Sequence, residues 1–167
     1  MSFIALLIFP IFMAWSAASD LLTMRLPNRL TASIAAAFVF MALLVGMPLN
    51  DLLLAAGCGF AVLMLGFFMF SRGWIGGGDA KLAAGIALWI GWTGLLDFLL
   101  LAAMAGGALS LLVLQWRRMT IPARLSGQVW LTRLHDPAEG VPYGVALSLA
   151  ALHVYAHMPI AQLILQR

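Results

Sequence analysis

Runs of apolar residues long enough to cross a bilayer dominate this sequence. A spanning helix needs about 20 mainly apolar residues, because the hydrocarbon core is roughly 30 Å thick and each helical residue rises about 1.5 Å. Counting on that basis places a first span from about Ser2 to Ser19, a second from about Leu30 to Met47 and a third from about Leu52 to Phe70. The stretch from Asp79 to Gln115 is too long for one crossing. Gly91-Trp92-Thr93-Gly94 offers a turn within it. The stretch therefore divides into a short fourth span ending near Ile90 and a fifth from about Leu95 to Gln115. A sixth begins near Val141 and runs to about His157. Composition agrees: 64% of the residues are hydrophobic and 9% charged, against about 45–50% and about 25% in soluble domains. There is too little polar sequence for a wetted surface and too much apolar sequence for a disordered chain. The expected fold is all-α: one polytopic membrane domain over residues 1–167, with six transmembrane helices and no internal repeat.

Breakers and caps fall at the span ends. Pro27-Asn28 precedes the second span, Pro48-Leu49-Asn50-Asp51 separates the second from the third, and Pro142 opens the sixth. Asn28, Asp51 and Thr93 read as N-caps. With six spans the loops alternate between two faces. Arg25, Arg29, Arg72, Lys81, Arg117, Arg118, Arg124 and Arg133 then share one face, leaving Arg167 alone on the other. The positive-inside rule makes the crowded face cytoplasmic and puts both termini on the non-cytoplasmic side. The formal net charge of +3 is small and lies in loops, so it reads as orientation rather than nucleic-acid binding, which needs a basic stripe on a soluble fold. Cys58 is the single cysteine, which excludes an internal disulfide and any Cys-x-x-Cys motif. Ser16-Ala17-Ala18-Ser19 after an apolar run resembles a signal cleavage site, but no Lys or Arg precedes Arg25. Secretory signals carry a positive n-region, so the first span is expected to be retained.

An acid in or beside a span is a functional candidate, since a charge at the bilayer centre costs about 2.5–3.5 kcal/mol on insertion scales. Asp20 falls at the cytoplasmic end of the first span, and Asp79 at the cytoplasmic start of the fourth, directly after Gly76-Gly77-Gly78. Packing the first helix on the fourth would bring both carboxylates together where water meets lipid. Two close carboxylates share a proton and titrate as a coupled pair. One can act as general base on a water while its protonated partner polarises a carbonyl and later donates a proton. That is aspartic peptide hydrolysis. The glycines lack Cβ atoms, so an extended substrate can approach the backbone before Asp79 closely. A plainer reading stands beside this one: Asp79 caps a helix and Asp20 is a solvated residue at a helix end. Residue types and positions alone leave both open.

Three segments resemble those of the type IV prepilin peptidase family. They are Asp20 with Arg25-Leu26-Pro27-Asn28-Arg29-Leu30-Thr31, then Gly76-Gly77-Gly78-Asp79-Ala80-Lys81-Leu82, then Val141-Pro142-Tyr143-Gly144-Val145-Ala146. The short length resembles the Tad (Cpa, Flp-pilus) branch. The resemblance implies that Asp20 and Asp79 are the catalytic pair of a GxGD-type aspartic membrane peptidase in the bacterial inner membrane, its active site facing the cytoplasm. It implies a prepilin or pseudopilin substrate whose short basic leader is cut, typically after a glycine, just before an apolar helix. Pilus-assembly machinery is a possible further partner. Long members of the family carry a Cys-x-x-Cys insertion and also N-methylate the new terminus. This chain has neither the insertion nor the cysteines, so peptidase activity alone is expected.

The remaining polar residues have plainer roles. Gly76, Gly77, Gly78 and Lys81 form the motif at the substrate approach. Lys81 lies two residues beyond Asp79, where helical neighbours do not face each other, and is read as snorkelling to the interface. Gly144 is read as a glycine that lets helices pack closely. Arg25 and Arg29 are read as topology anchors, and the segment 116–140 either as a basic loop on anionic lipid or as a loop that recognises the prepilin leader or a pilus-assembly partner. Asp97, His153 and His157 lie near the outer boundary and define an alternative, a small transporter or accessory subunit. No His-Glu-x-x-His, Gly-x-Ser-x-Gly, phosphate loop or dinucleotide fingerprint occurs. No cofactor, metal or nucleic acid is expected; membrane lipid is.

Overall fold

The computed structural model describes residues 2–120, 127–155 and 158–165, and all regular structure among them is helical. Seven elements follow in chain order: α1 (Ser2–Thr23), α2 (Asn28–Leu44), α3 (Leu49–Ser71), α4 (Gly77–Arg117), α5 (Val129–His135), α6 (Tyr143–Val154) and α7 (Pro159–Leu165). Among the described residues, three stretches are long and apolar enough to cross a membrane: Leu6–Thr23, Leu49–Ser71 and Gly77–Arg117. Helices α2 and α6 are apolar but shorter, at 17 and 12 residues. The segment expected to be a plain loop between the fifth and sixth spans contains α5, and α7 was not anticipated.

The division of the long apolar stretch falls at one residue. Gly91 has φ 65° and ψ −175° inside the otherwise helical run of α4. That region is essentially confined to glycine, because a Cβ there clashes with the backbone. The expected break between a fourth and a fifth span is therefore present as a sharp interruption within α4. Three expected caps are not caps. Extended Pro27 and Pro48 precede α2 and α3 without a side-chain capping bond, which puts Asn28 and Asp51 inside the first turns. Thr93 likewise lies beyond the break at Gly91. In each case a residue with a fixed φ or a free one starts the helix, and the polar side chain follows it.

Helix α4 is the centre of the bundle and packs against α2, α3 and α6, while α1 packs on α6. The core gathers around Trp89, with its ring 5.1 Å from that of Phe9 and 5.8 Å from that of Phe38. Its indole Nε1 donates to the Ile34 carbonyl at 3.1 Å, which satisfies the one polar atom of a buried residue. Tight α3–α4 packing depends on Gly66, where a Cβ would come within 2.9 Å of the Ala80 Cβ. The outward faces are apolar too: Phe40, Leu43, Phe60, Leu96 and Met104 are each more than 60% exposed. Soluble monomers rarely expose apolar patches beyond a few hundred Å², whereas a lipid-facing surface is made of them.

Arg117, at the end of α4, takes a part in the fold that charge counting did not foresee. Its Nε donates to the Leu134 carbonyl at 3.0 Å, and its Nη2 to those of Glu139 and Gly140 at 2.8 and 2.9 Å. The guanidinium ties the end of α5 and the entry to α6 back onto α4. Replacing Gly91 with alanine should cost about 1–3 kcal/mol, the usual penalty for a side chain in so sparse a backbone region. Thermal unfolding of the purified protein in detergent measures this.

Candidate active site

The cavity begins with two helix ends that meet. Helix α1 runs to Thr23, one turn beyond the expected end of the first span, so Asp20 stands within its last turn. The Met24 amide donates to the Asp20 carbonyl at 2.8 Å, and Met24 has a φ of 52°. A left-handed residue directly after a helix closes its last carbonyls and turns the chain sharply. The chain then runs back through Arg25-Leu26-Pro27 into α2, with the Ser19 hydroxyl donating to the Arg25 carbonyl at 2.9 Å. On the other side, extended Gly76 precedes α4 and Asp79 is the third residue of that helix. Asp79 Oδ2 lies against the Gly76 backbone, 2.8 Å from where a Cβ on that glycine would stand. An acid is favoured at this end of the helix dipole.

Asp20, Met24 to Asn28 and Gly76 to Asp79 line one cavity of about 550 Å³. Asp20 is buried and Asp79 half-buried. They are close enough for the charge on Asp20 to act on Asp79. The structure thus brings together two residues 59 positions apart, with the glycine run beside them. At Gly78 an added Cβ would meet the Leu26 Cβ at 3.0 Å, so the α1–α2 turn lies directly on the glycine run.

A third element completes the site. The Gly144 amide of α6 donates to Asp20 Oδ2 at 2.6 Å within the buried interior. Gly144 is the second residue of α6, after Pro142 and Tyr143. Amides in the first turn of a helix have no partner within it and point a partial positive charge outward. Gly144 does permit close packing, as expected, but its chemical part was missed. The sequence signal was present: a proline opening a helix places free amides one or two residues later. The missing side chain matters as well, since a Cβ would lie 2.8 Å from Asp20 Oδ2 and 3.1 Å from its Cγ.

Lys81 does not face Asp79. Its Nζ donates to Asn28 Oδ1 at 2.8 Å, so it links the first turns of α4 and α2 at the rim of the cavity. Asn28, expected as a cap, supplies the acceptor. Asp97 and His153 line a separate cavity of about 390 Å³, and His157 lies outside the described residues. Among the described residues no group of three or more metal-binding side chains occurs.

Fold and site together describe a membrane-type helical bundle with two carboxylates on one cavity at a shared end. The model of the type IV leader peptidase family matches residues 7–111, and the chain belongs to that family. It is 32% identical over 132 residues to a prepilin leader peptidase/N-methyltransferase of Dickeya chrysanthemi, covering 76% of this chain and 46% of that protein. Proteins of the same name from Pectobacterium carotovorum subsp. carotovorum and Aeromonas salmonicida (strain A449) are each 29% identical, over 142 and 136 residues. Those alignments cover 80% and 78% of this chain, and 44% and 41% of the two relatives. The chain therefore spans less than half the length of these curated relatives. No solved structure matches it. The family match includes Asp20 and Asp79 and stops short of Gly144.

Gly144→Ala should force Asp20 aside and lower stability by about 1–3 kcal/mol through overpacking. At Gly107 a Cβ meets nothing within 4 Å, so Gly107→Ala should leave the unfolding temperature unchanged or raise it. Thermal unfolding of the two variants side by side gives the comparison.

Proposed function

We propose that this protein is an intramembrane aspartyl endopeptidase that removes the leader from prepilin-like substrates, with Asp20 and Asp79 as its catalytic pair. The observation that carries the reading is that both carboxylates line one cavity, at the joined ends of α1 and α4. Membership of the leader peptidase family and the names of the relatives support it. No metal-binding group of three or more side chains among the described residues favours the alternative reading at the Asp97 and His153 cavity.

In the proposed reaction the pair holds one proton between two carboxylates, because like charges in one site do not ionise together cheaply. The ionised member accepts a proton from water as that oxygen attacks the scissile carbonyl. The protonated member donates to the carbonyl oxygen as it gains negative charge. Collapse of the tetrahedral intermediate breaks the C–N bond, and a proton from the pair goes to the departing amine. The Gly144 amide fixes the orientation of Asp20 throughout. The glycine run lets the substrate backbone lie near Asp79 without side chains between them.

Our reading further places the site at the cytoplasmic boundary of the bacterial inner membrane, six crossings in all, both termini on the opposite side. The charge distribution supports that orientation. The substrate is a prepilin or pseudopilin, one of the Flp-pilus type in our reading. The proposal concerns peptidase activity alone.

Asp20→Asn and Asp79→Asn should each lower leader removal by about 10²- to 10⁴-fold, the scale of a lost general acid or base. Membrane insertion should stay intact. Co-expression with a prepilin, reading leader loss by mass spectrometry, tests both; processing at the parental rate by either variant would refute the assignment. A metal chelator should leave cleavage at the parental rate, because two carboxylates and a water suffice for this chemistry. Inhibition would count against the dyad.

A further inference from the structure

Asp20 is held from one side by the Gly144 amide, through Oδ2. Beneath that bond lie two hydroxyls that the chemistry above does not use. Ser16 and Ser148 are 0% and 1% exposed, and the Oγ of each has no hydrogen-bond partner among the described residues. Orphaned hydroxyls in an apolar interior are costly, because nothing replaces the hydration they lose. Most buried hydroxyls avoid that cost by bonding protein or an internal water.

Their placement is fixed by the register of α1 against α6. The two helices pack antiparallel, with Asp20 opposite Gly144. Eleven residues back along α1 is Phe9, and eleven onward from Gly144 is Tyr155; their rings stack with centroids 5.5 Å apart. The Tyr155 hydroxyl also donates to the Leu6 carbonyl. Four residues back from Asp20 is Ser16, and four onward from Gly144 is Ser148. Both fall between the two observed contacts, so the register puts them on the facing sides of α1 and α6, about one turn from Asp20.

A helical turn rises about 5.4 Å. A water between the serines and Asp20 would span that turn with a hydrogen bond at each end. We propose that Ser16 and Ser148 together hold one internal water beneath Asp20, and that this water donates to the carboxylate oxygen that Gly144 does not engage. Asp20 is then braced by an amide on one oxygen and a water on the other. The two serines are positioning residues: they touch neither substrate nor the attacking water and act by orienting Asp20. The inference rests on the dyad reading above.

The test uses the full chain in detergent with a fusion substrate carrying a basic leader, a glycine at the cut and an apolar helix. Ser16→Ala and Ser148→Ala should each lower kcat by about 3- to 10-fold, the worth of one hydrogen bond, with KM within about two-fold of the parent. Losing either hydroxyl loses the same water, so the double variant should fall no further than about the lower single. Cysteine at either position, nearly isosteric but a weak hydrogen-bonder, should reproduce the loss and serves if an alanine variant fails to accumulate. Parental kcat in both singles, an effect confined to KM, or a double variant equal to the product of the singles would overturn the proposal. Asp20→Asn is measured in parallel. If it is inactive while the serine variants match the parent, the water is wrong and the dyad stands; if it cleaves normally, both fall.

Discussion

A carboxylate inside an apolar bundle has to be compensated, and this constraint organises the structure around Asp20. Removing such a group from water is expensive unless donors replace the lost hydration. Here the compensation comes from the start of a helix that lies far away in the sequence. The Gly144 amide meets Asp20 Oδ2 at 2.6 Å, and only a glycine fits there, because a Cβ would occupy the space of the carboxylate itself. That bond sets the height of α6 against α1. It also fixes where the end of α1 stands against α4, which packs on α6 and carries Asp79.

The rim of the cavity shows the same economy with charge. Among the described residues, Lys81 and Arg117 are basic side chains that hydrogen-bond to distant segments. Lys81 holds Asn28 at the head of α2, and Arg117 gathers three carbonyls ahead of α6. Each joins the start of one helix to another element at the end of the bundle where the acids lie. Basic residues that a topology rule treats as markers of sidedness thus also fasten the loops around the site.

The apolar runs and the acids were legible in the sequence because each rests on a local signal. Spanning length follows from counting, and an acid after three glycines at the head of an apolar run is conspicuous. The break at Gly91 was legible for the same reason, as glycine and aromatic residues interrupt a run too long for one helix. The caps were not. Asn28 and Asp51 have the right residue type, but the prolines before them already supply the extended backbone a helix start needs. The role of Gly144 was hidden because it depends on a partner 124 positions away. Lys81 was half legible: its spacing from Asp79 excluded a direct pair, but nothing local pointed to Asn28. Helix α5 and the grip of Arg117 depend on tertiary contacts between segments that carry no strong periodicity.

The order in which these parts leave the ribosome has a consequence. Both acids are made in the first half of the chain, while the amide that steadies Asp20 belongs to an element that begins at Tyr143. Until α6 has been synthesised and has docked, the nascent chain holds its paired acids without their final tether. On this architecture, Asp20 reaches its final seat only late in biogenesis.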